Sequence, residues 1–239
     1  MNHTKADIDL IILCIILIFS LPFVNNLANI AYASATDDSD EKEIGIEWVQ
    51  DYPGTDRDLQ HTKEDAEGFY NYLGEQGFTR KFEYGDVKWW EWWKRPAKEK
   101  DFEKPSVGGI DYQYADDVDF VYFSGHGNAK PAFEFGSNYD GDGQYTYEVH
   151  YSEVRWGDKD LEWIFLSACE CLREDVYHRW AGAFDDLHGI AGFHSLTDDN
   201  PYLGLDFARY LTGYYGKLYC IGDAWKSATN LDQPGRWAA

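Results

Sequence analysis

Two residues able to do covalent chemistry stand at the ends of two apolar runs. His126 lies between glycines at the close of "DDVDFVYFSGHG", Asp116 to Gly127. Cys169 follows 43 residues later in "LEWIFLSACECL", Leu161 to Leu172. A thiol becomes a strong nucleophile when an imidazole shares its site, because the thiolate is the reactive form. Gly125 and Gly127 allow a tight turn and leave main-chain N–H groups unshielded, and such groups could hold the oxyanion of an acyl-transfer step. The plainer alternatives are a buried structural thiol at Cys169 and a loop histidine satisfied by hydrogen bonds at His126.

Both residues need a scaffold that brings two strand ends together. Val118 to Ser124 and Leu161 to Ser167 are continuous apolar runs of strand length, which suits central parallel strands covered on both faces. Upstream, Ile44, Ile46 and Trp48 alternate as in a first strand. Thr62 with Asp65 predicts a capping pair for a helix through "AEGFYNYLGEQG", with Ala66, Phe69, Tyr70 and Leu73 on one face and Gly77 as its stop. "FTRKFEYG" reads as the next strand. Residues 128–157 form a hairpin or excursion, Asp175 to Phe184 reads as helix, and "HGIAGFHS" as a short strand. Two more helices follow, the first with Leu205, Ala208 and Leu211 in register. Alternating strands and helices predict an α/β fold, a three-layer αβα sandwich with a mainly parallel sheet. In such sheets ligands bind beyond the carboxyl ends of the strands, where His126 and Cys169 stand.

The two motifs together resemble the caspase-like cysteine peptidases, in which one apolar strand ends in His-Gly and another in Ala-Cys. The local sequence is most similar to secreted prokaryotic caspase-like domains of uncharacterised function. The resemblance spans most of Glu43 to Asn230, with "GIAGFHS" and "FARYLTGYYGKLYCIGDAWKSA" matching the strand and helices that follow the cysteine, although only the two motif blocks are specific. It implies that His126 is the general base, that Cys169 is the nucleophile forming a thioester, and that the N–H groups of Gly127 and Cys169 make the oxyanion hole. It implies a peptide or protein substrate and no required cofactor. Caspases follow the cysteine with a variable residue and then glycine; here Glu170 and Cys171 take those places, and Ser167 stands where caspases have glutamine.

Forty-three acidic against twenty-one basic residues give a formal charge of −22, which repels nucleic acid and anionic membranes and so excludes nucleic-acid binding as a main function. Leu10 to Val24 is an almost unbroken apolar run followed by Ala31-Tyr32-Ala33 and Ala33-Ser34-Ala35. That pattern predicts a secretory signal peptide over residues 1–35, followed by an acidic leader over 36–43 and the α/β domain of caspase-like resemblance over 44–239. A retained N-terminal anchor is the alternative; the run is short for a span. Cys14 lacks the small-residue approach of a lipidation site. Processing would leave Cys169, Cys171 and Cys220, with a Cys171–Cys220 disulfide as one pairing. Asn138, Asp140 and Asp142 begin like a calcium loop, but its closing glutamate is missing, so a plain turn competes with a calcium site. "WWEWWK" reads as a buried amphipathic turn, with a stacking platform as the alternative. His150, His188 and His194 lack close metal-ligand spacing.

Overall fold

The computed structural model describes residues 41–52, 57–86, 94–136 and 147–239. The leader and signal segment, the four tryptophans of "WWEWWK" and the calcium-like triplet Asn138, Asp140 and Asp142 lie outside the described residues.

Five parallel strands form the central sheet in the order β2-β1-β3-β7-β8. They are β1 (Glu43–Trp48), β2 (Thr79–Tyr84), β3 (Phe120–Ser124), β7 (Trp163–Ser167) and β8 (Gly189–Ala191). A second, antiparallel sheet joins β4 (Gly127–Asn128), β5 (Ala132–Glu134) and β6 (Glu148–His150), which resolves the predicted excursion. The helices are α1 (Thr62–Glu75), α2 (Leu203–Thr212) and α3 (Ile221–Asp232).

Alternation along the central strands sorts their side chains into two cores. On one face Ile44, Ile46, Tyr122 and Phe165 meet Phe69 and Leu73 of α1, Phe207 of α2 and Trp225 of α3. On the other, Val121, Phe123, Ile164 and Leu166 pack under Phe102, Phe133, Trp156 and Trp180. The result is the three-layer sandwich expected for this sequence. Its second outer layer is built from 3-10 turns and the small sheet.

Several local expectations change. Thr62 and Asp65 form no capping pair: the Thr62 hydroxyl donates to the Val49 carbonyl at 3.0 Å, and the buried Asp65 carboxylate turns toward the sheet. The stop at Gly77 holds, with φ at +97° in the left-handed region glycine tolerates. The helix expected over Asp175 to Phe184 is a 3-10 helix over Tyr177–Ala183. In α2 the buried stripe is Leu203, Phe207 and Ala208, while Leu205 and Leu211 are only partly buried. The Cys171–Cys220 disulfide does not form: all three cysteines are free, Cys171 in the core and Cys220 exposed just before α3.

Candidate active site

Strand register brings the two motifs together. β3 and β7 pair in parallel with Ser124 opposite Ser167, and Gly125 N–H donates to the Ser167 carbonyl at 3.2 Å. His126 and Cys169 each follow two residues after that serine pair, so both leave the sheet at one level on neighbouring strands. Parallel neighbours lie about 4.8 Å apart. β1 ends at the same level, with Trp48 opposite Ser124. Because β2 lies to one side of β1 and β3 to the other, the loops after β1 and β3 diverge there and open a crevice at the switch point of the sheet.

Gly127 closes the gap between the motifs. A Cβ at this position would stand 2.6 Å from the Cys169 carbonyl oxygen, 2.6 Å from Cys171 Sγ and 2.9 Å from the Ala168 Cβ. The His-Gly turn therefore lies directly on the cysteine turn, and only glycine fits. Glu170 departs from ordinary backbone at φ +53°, and its N–H donates to the Ser195 carbonyl at 3.0 Å. This left-handed residue sends Cys171 back into the core, where its thiol donates to the Ala132 carbonyl at 3.2 Å. The Glu170-Cys171 pair after Cys169 is thus accommodated by one left-handed residue and a buried thiol.

His126 is held from two sides. Its backbone N–H donates to the Tyr52 hydroxyl at 2.8 Å, and the two rings lie 4.4 Å apart. Its Nε2 is 2.7 Å from the Arg57 carbonyl oxygen. A carbonyl only accepts, so Nε2 carries the proton and the neutral ring keeps its lone pair on Nδ1. The Tyr52 hydroxyl also donates to the Glu134 carbonyl at 3.0 Å, tying the loop after β1 to the small sheet. Arg57 pairs with Glu134, and this partner and Asn128 hold the glutamate below its ordinary range despite partial burial.

Cys169 is half-buried, and its Sγ accepts from Thr197 N–H at 3.3 Å. Burial raises its pKa above the ordinary thiol value, the Thr197 N–H counters this, and the nearby Glu170 adds to the rise. Cys171, fully buried, is raised much further by the same desolvation. Cys169 therefore rests as a neutral thiol.

A cavity of about 70 Å³ opens beside His126 and Cys169. Segments following all four of the strands β1, β3, β7 and β8 contribute to it, including Leu59, Ser124, Ser167 and Thr197. Asp65 lies against it from α1, accepting from Tyr122 Oη, Ser124 Oγ and Gly204 N–H at 2.9, 2.8 and 2.7 Å. Burial outweighs these bonds and raises its pKa to about 6. Tyr52, the Arg57 carbonyl, Asp65 and Thr197 were not legible as site groups. A backbone carbonyl has no sequence signature, and Asp65 reads as an ordinary first-turn acid.

His150, His188 and His194 do not converge. His150 Nδ1 bonds Ser152 Oγ at 2.7 Å and His188 pairs with Glu162. Among the described residues no group of three or more His, Cys, Asp or Glu is arranged to hold a metal ion, and no helix is long and apolar enough to cross a membrane.

The family model of a domain of unknown function, DUF6345, matches residues 46–239. That is most of the chain, which therefore belongs to this family. Among curated proteins no match is found.

Proposed function

We propose that the protein is a caspase-like cysteine endopeptidase working through His126 and Cys169. The observation that carries this reading is the register of β3 and β7, which sets a histidine and a cysteine at equivalent positions beyond adjacent strand ends. Three further features support it: the steric need for glycine at 127, the single proton arrangement of the His126 ring, and a cavity beside the thiol.

In the proposed reaction the imidazole lone pair takes the Cys169 proton as sulfur attacks the peptide carbonyl carbon. The carbonyl π electrons move to oxygen, and N–H groups of Gly127 and Cys169 receive the oxyanion. Collapse breaks the C–N bond, the imidazolium returns its proton to the leaving amine, and a thioester remains. Water, deprotonated by the same ring, hydrolyses the thioester and restores the thiol. The Arg57 carbonyl stabilises the ring N–H throughout, and more so once the ring is cationic. The raised thiol pKa requires proton removal during attack, because little thiolate is present beforehand. We place this activity outside the cytoplasm, on the apolar run Leu10 to Val24 and its following alanine triplets.

A second reading is a binding module that keeps the fold without turnover; the raised Cys169 thiol favours it. Labelling separates the two. Peptidyl acyloxymethyl ketones should modify Cys169 in the wild type, not in Cys169→Ala, and at least a hundredfold more slowly in His126→Ala. If Cys169 reacts with these probes no faster than Cys220, or if His126→Ala leaves the rate unchanged, the peptidase reading fails.

A further inference from the structure

We infer that Glu134 is a positioning residue for the histidine: through the Arg57 guanidinium it holds the main-chain carbonyl that fixes the His126 ring. That this serves catalysis rests on the peptidase reading; that it fixes the ring does not.

A carbonyl orients an imidazole only if it is itself held in place. The Arg57 carbonyl oxygen lies 2.7 Å from His126 Nε2, and it belongs to the loop after β1 rather than to a strand. The side chain of the same residue supplies an anchor. Its guanidinium pairs with the Glu134 carboxylate and lies over the Tyr52 ring, 5.5 Å from the ring centre. Glu134 stands in β5, and Asn128 Nδ2 from β4 donates to its other carboxylate oxygen at 3.1 Å. With a donor on each oxygen, the carboxylate cannot rotate without breaking a charge-assisted bond. Partial burial would raise the Glu134 pKa, but the Arg57 and Asn128 donors outweigh it and keep the group ionised for Arg57.

The main chain of Glu134 has a separate task, so the part played by its side chain can be isolated. Glu134 N–H donates to the His126 carbonyl at 2.8 Å. The Glu134 carbonyl accepts from the Tyr52 hydroxyl at 3.0 Å, and that hydroxyl accepts from His126 N–H at 2.8 Å. These bonds fix the His126 backbone and do not depend on the carboxylate. The ring is held by a second path: Nε2–H to the Arg57 carbonyl, then the Arg57 guanidinium to the Glu134 carboxylate. An ion pair in open water contributes little, but here the acid side chain is only 14% exposed and has a second donor in Asn128. The two paths meet at Glu134, which makes it the residue that ties ring and backbone of the histidine to one strand.

Two measurements test this separately from the peptidase reading. In the first, the His126 ring nitrogens are read by nitrogen NMR in Cys169→Ala protein, at a pH where the imidazole is neutral. One hydrogen bond of ordinary strength biases an equilibrium roughly fivefold, so Glu134→Ala and Arg57→Ala should each lower the ratio of Nε2–H to Nδ1–H tautomer by about that factor. The double variant should lower it no further, because both residues act through one carbonyl. Glu148→Gln is the control: Glu148 shares Asn128 with Glu134 at 3.2 Å and pairs with Lys130, and its loss should leave the ratio unchanged. If Glu134→Ala fails to fold, Glu134→Gln, which keeps the size but not the charge, carries the test. An unchanged ratio in either single variant, or an equal fall in Glu148→Gln, overturns the assignment. In the second, the same substitutions are made with Cys169 intact and labelled with peptidyl acyloxymethyl ketones. Glu134→Ala and Arg57→Ala should slow labelling by similar factors. Labelling at the wild-type rate in both overturns the positioning role and leaves the peptidase reading standing. Loss of the tautomer preference in both, with no labelling of Cys169 in the wild type, supports the positioning role and overturns the peptidase reading.

Discussion

Replacing Gly127 with alanine tests the contact on which the site depends. The added methyl would begin 2.6 Å from the Cys169 carbonyl oxygen and 2.6 Å from Cys171 Sγ, where ordinary contacts start near 3.4 Å. A gap of nearly 1 Å must open, and neither obstacle is a flexible tip: one is backbone, the other a thiol fixed to the Ala132 carbonyl in a fully buried position. Overpacking of this kind costs about 1–3 kcal/mol. For a chain of this size each kcal/mol moves Tm by about 2–4 °C, so a fall of roughly 2–12 °C is expected by calorimetry. Because the wedge parts the histidine turn from the cysteine turn, ketone labelling of Cys169 should slow as well. Gly182→Ala is the control, since a Cβ there meets nothing within 4 Å. If Gly127→Ala melts within 1 °C of wild type and labels at the same rate, the two turns are not in contact and the geometric argument for the dyad falls.

Three other outcomes follow from the described contacts. Tyr52→Phe strips His126 N–H and the Glu134 carbonyl of their shared partner, so denaturation should show a loss of about 1–3 kcal/mol, with slower Cys169 labelling. Arg95 forms a two-point pair with Asp101 and stacks between Tyr84 and Tyr114, at 4.5 and 3.9 Å from their ring centres. Arg95→Ala leaves buried Asp101 and Glu47 facing each other, which should cost about 3–5 kcal/mol at pH 8 and less at pH 5, where burial and Asp101 already favour neutral Glu47. Burial raises Asp65 to about 6, Asp111 to about 7 and Asp116 to about 8, all from 3.8. The native state therefore binds more protons than the unfolded chain across this window, and stability falls as pH rises through 6 to 8. Tm should be higher at pH 5 than at pH 8, and the difference should survive 0.5 M salt, which screens the exposed charges far more than the buried ones; a higher Tm at pH 8 refutes it.

The frame of the fold was legible because its signals are periodic. The runs ending at Ser124 and Ser167 could only be covered strands, and β1, β2 and the three helices carry ordinary patterns of alternation or amphipathy. The pairing of β3 with β7, and hence the placing of His126 and Cys169 beside one cavity, could be anticipated only from two similar strand ends. What escaped was tertiary. Asp65 looks like part of a helix start, yet burial under the sheet and three strong donors draw it inward. Asp175 to Phe184 has helical composition but winds as a 3-10 helix, whose Trp180 Nε1–H donates to the Cys171 carbonyl at 2.8 Å. The supposed partner thiols sit in opposite settings, one at the core and one in solvent, which no count of cysteines can reveal.

The Gly127–Cys171 contact also has an evolutionary reading. Two side chains cannot share that space, so the sizes at these positions are not independent. Substitutions within the family should nevertheless be one-sided: shrinking position 171 removes only the sulfur contact, and position 127 stays glycine all the same, because the Cys169 carbonyl oxygen still stands 2.6 Å from a Cβ there. The turn glycine should therefore be the more slowly changing of two positions that lie 44 apart in the chain.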